Sequence, residues 1–222
     1  MLQLTLGLDS RLDPAAPFAA RLEALLRRPP TGREVDAFSK YLSLLLQWNR
    51  VYSLTAYREP VDIIEKLLLD SLLFLPLLPI PPCQVLDLGS GVGIPGIPLK
   101  IVEPRLSLTL VEARRRRASF LVTLVRELQL EGVRVLGGRA EVLIKEIVGL
   151  EGSFDVVVAR AFGPLRALLP IALKFLRPGG RVIASGPPFG KEDSSVGESG
   201  IRELVVSPLS GQPRQFLVFE KK

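Results

Sequence analysis

The sequence predicts an α/β fold: an open, mostly parallel sheet of seven strands with helices on both faces, preceded by a small helical unit. Three observations predict it. From residue 84 onward, short apolar runs alternate with helical stretches. Those runs are apolar at nearly every position, as strands covered on both faces are. The first of them ends in VLDLGSGVGIPGIP (85–98), with four glycines in eight positions where the chain leaves a strand.

Residues 1–14 are mixed turn formers and read as a loose lead-in. Phe18, Leu22, Leu25 and Leu26 recur at helical spacing over 17–28. Thr31 followed by Glu34 is a capping box, and it opens a helix whose stripe is Val35, Phe38, Tyr41 or Leu42, and Leu45, with Trp48 and Tyr52 beyond. Glu59-Pro60 starts a third helix over 61–75, with Ile64, Leu67, Leu68, Leu72 and Leu75 inward. Pro76, Pro79, Pro81 and Pro82 end this part, so the expected division is a helical extension over 1–82 and a main domain over 83–222. Strands are expected at 84–89, 106–112, 133–138, 154–161, 180–186, 201–206 and 214–220, and helices at 96–102, 115–129, 140–147 and 165–176. The last two strands follow a loop from Pro187 to Glu198 and suggest a hairpin-like close with at least one antiparallel strand.

The 222 residues are 47% hydrophobic, enough for one well-buried core with an appendage. Every apolar run is broken before membrane-spanning length, and no basic-then-apolar leader opens the chain, so a cytoplasmic location is expected. Cys83 is the single cysteine and reads as a buried bystander; no disulfide framework or cysteine metal cluster is expected. There is no histidine, which removes the commonest general base and zinc ligand. Residues 1–84 hold nine basic and nine acidic residues, so the whole net charge of +6 belongs to the second part. Such an excess favours a polyanionic partner.

In an open α/β sheet, ligands bind outside the carboxyl ends of the strands, where the strand order reverses. Gly89, Gly91, Gly93 and Gly96 stand there, and bare backbone lets a bound molecule approach closely. Gly91 to Gly96 fits the dinucleotide spacing, whereas no Gly-Lys-Ser/Thr follows for a phosphate-binding loop. Asp87, two residues before the first glycine, is expected to face the mouth of the pocket. A diphosphate would lie against that negative charge. S-adenosylmethionine carries a sulfonium and an ammonium and no phosphate. Glu112, ending the second strand, suits ribose hydroxyls, and Gly138-Arg139-Ala140-Glu141 is placed to touch the adenine edge. Asp155 opens a strand and reads as structural. A hydride-transfer enzyme wants a proton relay; with no histidine and all three tyrosines at 41, 52 and 57, methyl transfer fits better.

Arg114 to Arg117 open a helix, where acids are preferred, and four adjacent positions cannot share one face. They read either as solvated surface or as a phosphate clamp joined by Arg139, Arg160 and Arg166. Without a helix-turn-helix, zinc finger or basic zipper, structured RNA suits such a patch better than duplex DNA.

These pieces resemble the bacterial ribosomal small-subunit RNA guanine-N7 methyltransferases, first named glucose-inhibited division protein B. The matching segments are QWNRVYSLTAYREP (47–60), LDS (69–71), LDLGSGVGIPGIPLKI (86–101), LTLVEARRRRASFL (108–121), GRAE (138–141), ARA (159–161) and LRPGG (176–180). The resemblance implies a Rossmann-like class I methyltransferase fold and transfer of a methyl group from S-adenosylmethionine to N7 of one guanine in 16S ribosomal RNA, free or in the small-subunit particle. It implies that Asp87, Gly89, Ser90, Gly91, Gly93, Pro95, Gly96 and Glu112 hold the cofactor, with the backbone at Ala140 and Glu141 on the adenine. Arg160 is expected near the methyl donor, and Arg139 is associated with the same site. No metal is implied, and a monomer is expected. The chain departs from the family at Ser53, where Asn is usual, at Leu67, where His is usual, and at Ser185-Gly186-Pro187, where Leu-Lys-Gly is usual. Methylation of another RNA site or of a protein stays open as an alternative, as does a non-enzymatic RNA-binding protein with a relic pocket.

Overall fold

The computed structural model describes residues 17–161, 163, 165–186, 201–206 and 214–222. The lead-in expected over 1–14 and the loop expected over 187–198 lie outside the described residues. Helix α1 spans Phe18–Leu26 and α2 spans Gly32–Tyr52. The capping box forms as expected: the Glu34 N–H donates to the Thr31 hydroxyl at 3.2 Å, and the Thr31 N–H donates to the Glu34 carboxylate at 2.7 Å. Phe38, Tyr41, Leu45 and Asn49 form the buried face of α2, so the stripe takes Tyr41 and not Leu42.

The end of α2 explains the tryptophan–asparagine segment. The Asn49 amide donates to the Tyr57 carbonyl at 2.8 Å and accepts the Thr55 N–H at 2.9 Å, closing the 53–57 loop. Ser53 caps the helix in the left-handed region, φ 48. Asn visits that region more readily than Ser. Replacing Ser53 by Asn, the residue usual in the family, is therefore expected to stabilise the protein by up to about 1 kcal/mol. Thermal denaturation at fixed pH checks this, and an unchanged or lower midpoint would contradict it.

The helical segment expected over 61–75 forms as one continuous helical run, but its pitch changes along the way. Helix α3 covers only Pro60–Ile63; a π-helical turn follows at Ile64–Leu69 and a 3-10 turn at Leu72–Leu77. Leu67 to Phe74 are buried at every position, so there is no solvent face to set a helical stripe. Pro76, which has no N–H to donate, lies inside the final turn. In the π turn the Asp70 N–H reaches back to Glu65 O, one residue beyond the usual acceptor, Lys66 O.

Seven strands form one sheet in the order β3-β2-β1-β4-β5-β7-β6. They are β1 (Gln84–Leu88), β2 (Ser107–Glu112), β3 (Val133–Gly137), β4 (Phe154–Arg160), β5 (Leu176–Gly186), β6 (Ile201–Val206) and β7 (Arg214–Glu220). The first five run parallel, and β7 inserts antiparallel between β5 and β6. Successive residues alternate between two cores, which is why the runs read as continuously apolar. Val85, Leu108, Leu110, Val156 and Val158 pack with α1, α2, α4 (Gly96–Val102) and α5 (Arg115–Glu127). Leu86, Leu88, Val111, Val157 and Ala159 pack with α6 (Ala140–Glu146) and α7 (Leu165–Phe175). Asp155 is structural, as expected: its carboxylate accepts the Gln84 N–H at 2.6 Å and pairs with Arg177. Cys83 is buried, and burial pushes its thiol up to about 11.

Candidate active site

The sheet order reverses between β1 and β4, and every residue expected at the site falls at the carboxyl ends of β3, β2, β1 and β4. The turn after β1 is tied to the end of β2, where the Gly89 and Ser90 N–H groups both donate to Val111 O, at 2.9 and 3.0 Å. The Ser90 hydroxyl is buried and donates to Asp87 O at 2.8 Å, so it staples the turn instead of facing a ligand. Pro95 is buried behind a cis Ile94–Pro95 peptide and precedes α4.

The four glycines divide into two kinds. Gly89 and Gly91 form the accessible rim with φ 76 and 60, and a Cβ on Gly91 would meet nothing closer than 3.9 Å. Gly93 and Gly96 are bare for packing. A Cβ on Gly93 would stand 2.8 Å from Ile97 Cγ1 and 3.2 Å from the Tyr41 hydroxyl, and one on Gly96 would stand 2.7 Å from Asp87 Oδ2. Tyr41 is the support that sequence reasoning did not single out. From α2 it reaches under the turn and donates to Val92 O at 2.6 Å. Burial raises its phenol well above the ordinary value, with Asp87 adding to the rise and Arg160 opposing it.

Asp87 does not face the pocket mouth as expected. It is fully buried, because position 87 falls on the sheet face covered by α4, and its Oδ2 accepts the Gly96 N–H at 2.9 Å. Its Oδ1 has no hydrogen-bond partner among the described residues. Burial pushes the carboxyl up to about 7; the Gly96 N–H opposes the shift and the Glu112 carboxylate adds to it. Glu112 is itself nearly buried and accepts the Gly91 N–H at 2.8 Å and the Arg114 N–H at 2.7 Å. It thus positions both the rim glycine and the start of α5, and each oxygen keeps a second lone pair.

The arginine block separates along its length. Arg114, Arg115 and Arg116 are exposed, whereas Arg117 turns inward, donates to Leu54 O at 3.0 Å and lies against Gly91. Arg160 does not join a surface patch. Its side chain is 11% exposed, pairs with Asp70 at 3.0 Å and donates to Lys66 O, the acceptor that the π turn left to it. The LDS segment (69–71) is therefore the counter-charge of Arg160. Arg139, at the start of α6, is 76% exposed with Glu141 at 3.8 Å. Three strand spacings, about 14 Å, separate its strand from that of Arg160. Ala140 is buried and Glu141 exposed at the same strand end.

Two neighbouring carboxylates at the switch point would repel a diphosphate, and Asp87 Oδ1 is an orphaned buried oxygen that a cationic ligand would relieve. With bare backbone at the rim, this α/β frame belongs to the S-adenosylmethionine-dependent methyltransferases. The family model of the rRNA small subunit methyltransferase G matches residues 34–190, and the chain belongs to that family. A ribosomal RNA small subunit methyltransferase G of Caldanaerobacter subterraneus subsp. tengcongensis is 44% identical over 68% of this chain and 63% of its own length. One of Xanthomonas axonopodis pv. citri is 34% identical over 93% of this chain and 98% of its own. An O-methyltransferase of Streptomyces achromogenes, crystallised with S-adenosylmethionine, is 20% identical and superposes with a TM-score of 0.56 over 82% of this chain and 90% of that one, a likeness of fold.

Proposed function

We propose that this protein transfers a methyl group from S-adenosylmethionine to N7 of one guanine in 16S ribosomal RNA, as free RNA or in the small-subunit particle. We further propose that it acts as a cytoplasmic monomer. The observation that carries this reading is the family match across 34–190, which contains the whole row of strand-end residues described above. Among the described residues no helix is long and apolar enough to cross a membrane. The reading treats residues 1–82 as an extension of the methyltransferase domain at 83–222; the shared core, in which Tyr41 and Phe74 pack with Val85, Phe120 and Phe216, supports that division of labour.

The cofactor supplies an activated methyl group on a sulfonium. Guanine N7 carries a lone pair and no proton, so no general base is required, which suits a chain without histidine. What remains is alignment, worth roughly 7–11 kcal/mol at its upper limit. In this reading Gly89 and Gly91 offer the backbone rim, Asp87 and Glu112 the negative field, and Ala140 and Glu141 the adenine end. Arg160 positions the guanine at the β4 end. Arg139 serves the nucleoside end of the site, which its place beyond β3 favours. Mass mapping of 16S RNA from cells with and without the gene tests the proposal. Loss of one N7-methylguanine is expected; an unchanged map would overturn it.

The buried carboxylate gives a pH signature. Because folding raises the Asp87 pKa from its ordinary value to about 7, its contribution to stability is full below about pH 4 and is lost as pH rises to about 7. Asp87→Asn is therefore expected to stabilise the ligand-free protein at pH 8 relative to pH 4 while weakening cofactor binding. In the native protein a cationic ligand expels the Asp87 proton, so affinity rises between pH 6 and 8. Calorimetric titration at pH 6.5 in phosphate and in Tris measures that proton; identical heats in the two buffers would contradict the assignment.

A further inference from the structure

We propose that Tyr52 and Arg116 form a stacking platform for an unpaired nucleotide flanking the target base, with Arg114 and Arg115 taking its phosphates; the inference rests on the RNA reading above. Tyr52 ends α2 with 42% of its surface exposed, and Val51 beside it is 71% exposed. A lone exposed ring would need no explanation. This one is built up from both sides. The Arg116 guanidinium lies over it, 5.6 Å from the ring centroid, and Trp48 packs against it at 5.4 Å, resting in turn on Phe120 at 5.6 Å.

The platform is also fixed at the mouth of the cofactor site. Arg117, the next residue on α5, is bonded to Leu54 O two residues beyond Tyr52, and its other end lies against the rim glycine Gly91. Planar π-systems with a guanidinium suit a nucleobase, because unpaired RNA bases stack on aromatic rings and arginine planes. Arg114 and Arg115, which precede Arg116 in the chain, are exposed, as is Arg50 near the end of α2, and they supply charge for the strand that carries the base.

The experiment reads KM for small-subunit particles together with the fluorescence of Trp48, the single tryptophan of the chain. Tyr52→Leu and Arg116→Lys are expected to raise KM for the RNA roughly tenfold, as loss of one stacked base does, with less than a twofold change in kcat and in cofactor affinity. Tyr52→Phe keeps the ring and rescues binding. An RNA loop oligonucleotide quenches Trp48 in the native protein and fails to do so once Tyr52 is Leu. Val148→Ser, on a fully exposed remote residue, is the control. Unchanged KM in Tyr52→Leu, or a loss in Tyr52→Phe equal to that in Tyr52→Leu, would overturn stacking. If Arg116→Lys and Tyr52→Leu both match the control, only the platform fails. If the native protein methylates no RNA, the functional reading fails instead.

Discussion

Gly96→Ala is expected to weaken cofactor binding severely and to destabilise the ligand-free fold. Gly96 opens α4 with ordinary helical backbone, so an alanine there has no conformational objection and would even gain about 0.5–1 kcal/mol of helix preference. The obstacle is space. The new Cβ would stand 2.7 Å from Asp87 Oδ2 and 2.9 Å from Leu110 Cδ2. The leucine end can rotate, but the carboxylate cannot retreat, because it is fully buried and held by the N–H of residue 96 itself. Overpacking of this kind costs about 1–3 kcal/mol, which exceeds the helical gain. Displacing Asp87 also moves the negative charge on which the cofactor reading depends. A loss of affinity of about 100-fold or more is expected, measured by calorimetric titration alongside a melting curve. Gly91→Ala makes the contrast, since it meets only left-handed strain of about 1–2 kcal/mol and no clash. If Gly96→Ala binds the cofactor as the native protein does, the seat of Asp87 beneath α4 has no role in binding.

Arg160→Ala should cut single-turnover methylation by about 100-fold, near 2.7 kcal/mol of barrier, while changing cofactor affinity far less. It also breaks a buried ion pair with the Asp70 carboxylate, which is 9% exposed. Breaking such a pair costs about 3–5 kcal/mol. Stability and chemistry must therefore be separated. Arg160→Lys keeps the charge for Asp70 and Lys66 O, which a single guanidinium nitrogen (Nη2) meets, but loses the planar guanidinium, so it should stay folded and still be slow. Asp70→Asn should reproduce part of the rate loss through Arg160, and the two changes together should cost less than their sum. Equal losses of rate and cofactor affinity in Arg160→Lys would show that Arg160 serves cofactor binding and not the guanine.

The α/β frame was legible from residue order because a doubly covered strand leaves its mark locally: continuous apolar runs, a glycine turn, then helical spacing. The capping box at Thr31 and Glu34 was legible for the same reason, since both partners lie within one turn. The helical segment over 61–75 was legible too, but its passage from α to π to 3-10 pitch was not, because burial on all sides of 67–74 hides the period that would show it. The carboxylates, the glycines and Arg160 were named from their places after strands, yet their surroundings were not.

Sequence alone determined the class of fold, the row of strand ends at which the proposed site residues stand, and the absence of histidine among the 222 residues. Only the tertiary structure decided that Asp87 lies beneath α4 with one oxygen orphaned, that Arg160 is paired to Asp70, and that Arg117 turns inward while Arg116 covers Tyr52. The reason is range. Helix caps and strand patterns are set by residues a few positions apart, whereas Arg160 meets Lys66 across 94 positions and Tyr41 meets Val92 across 51. Charge and burial at such meetings follow from which elements the sheet order brings together.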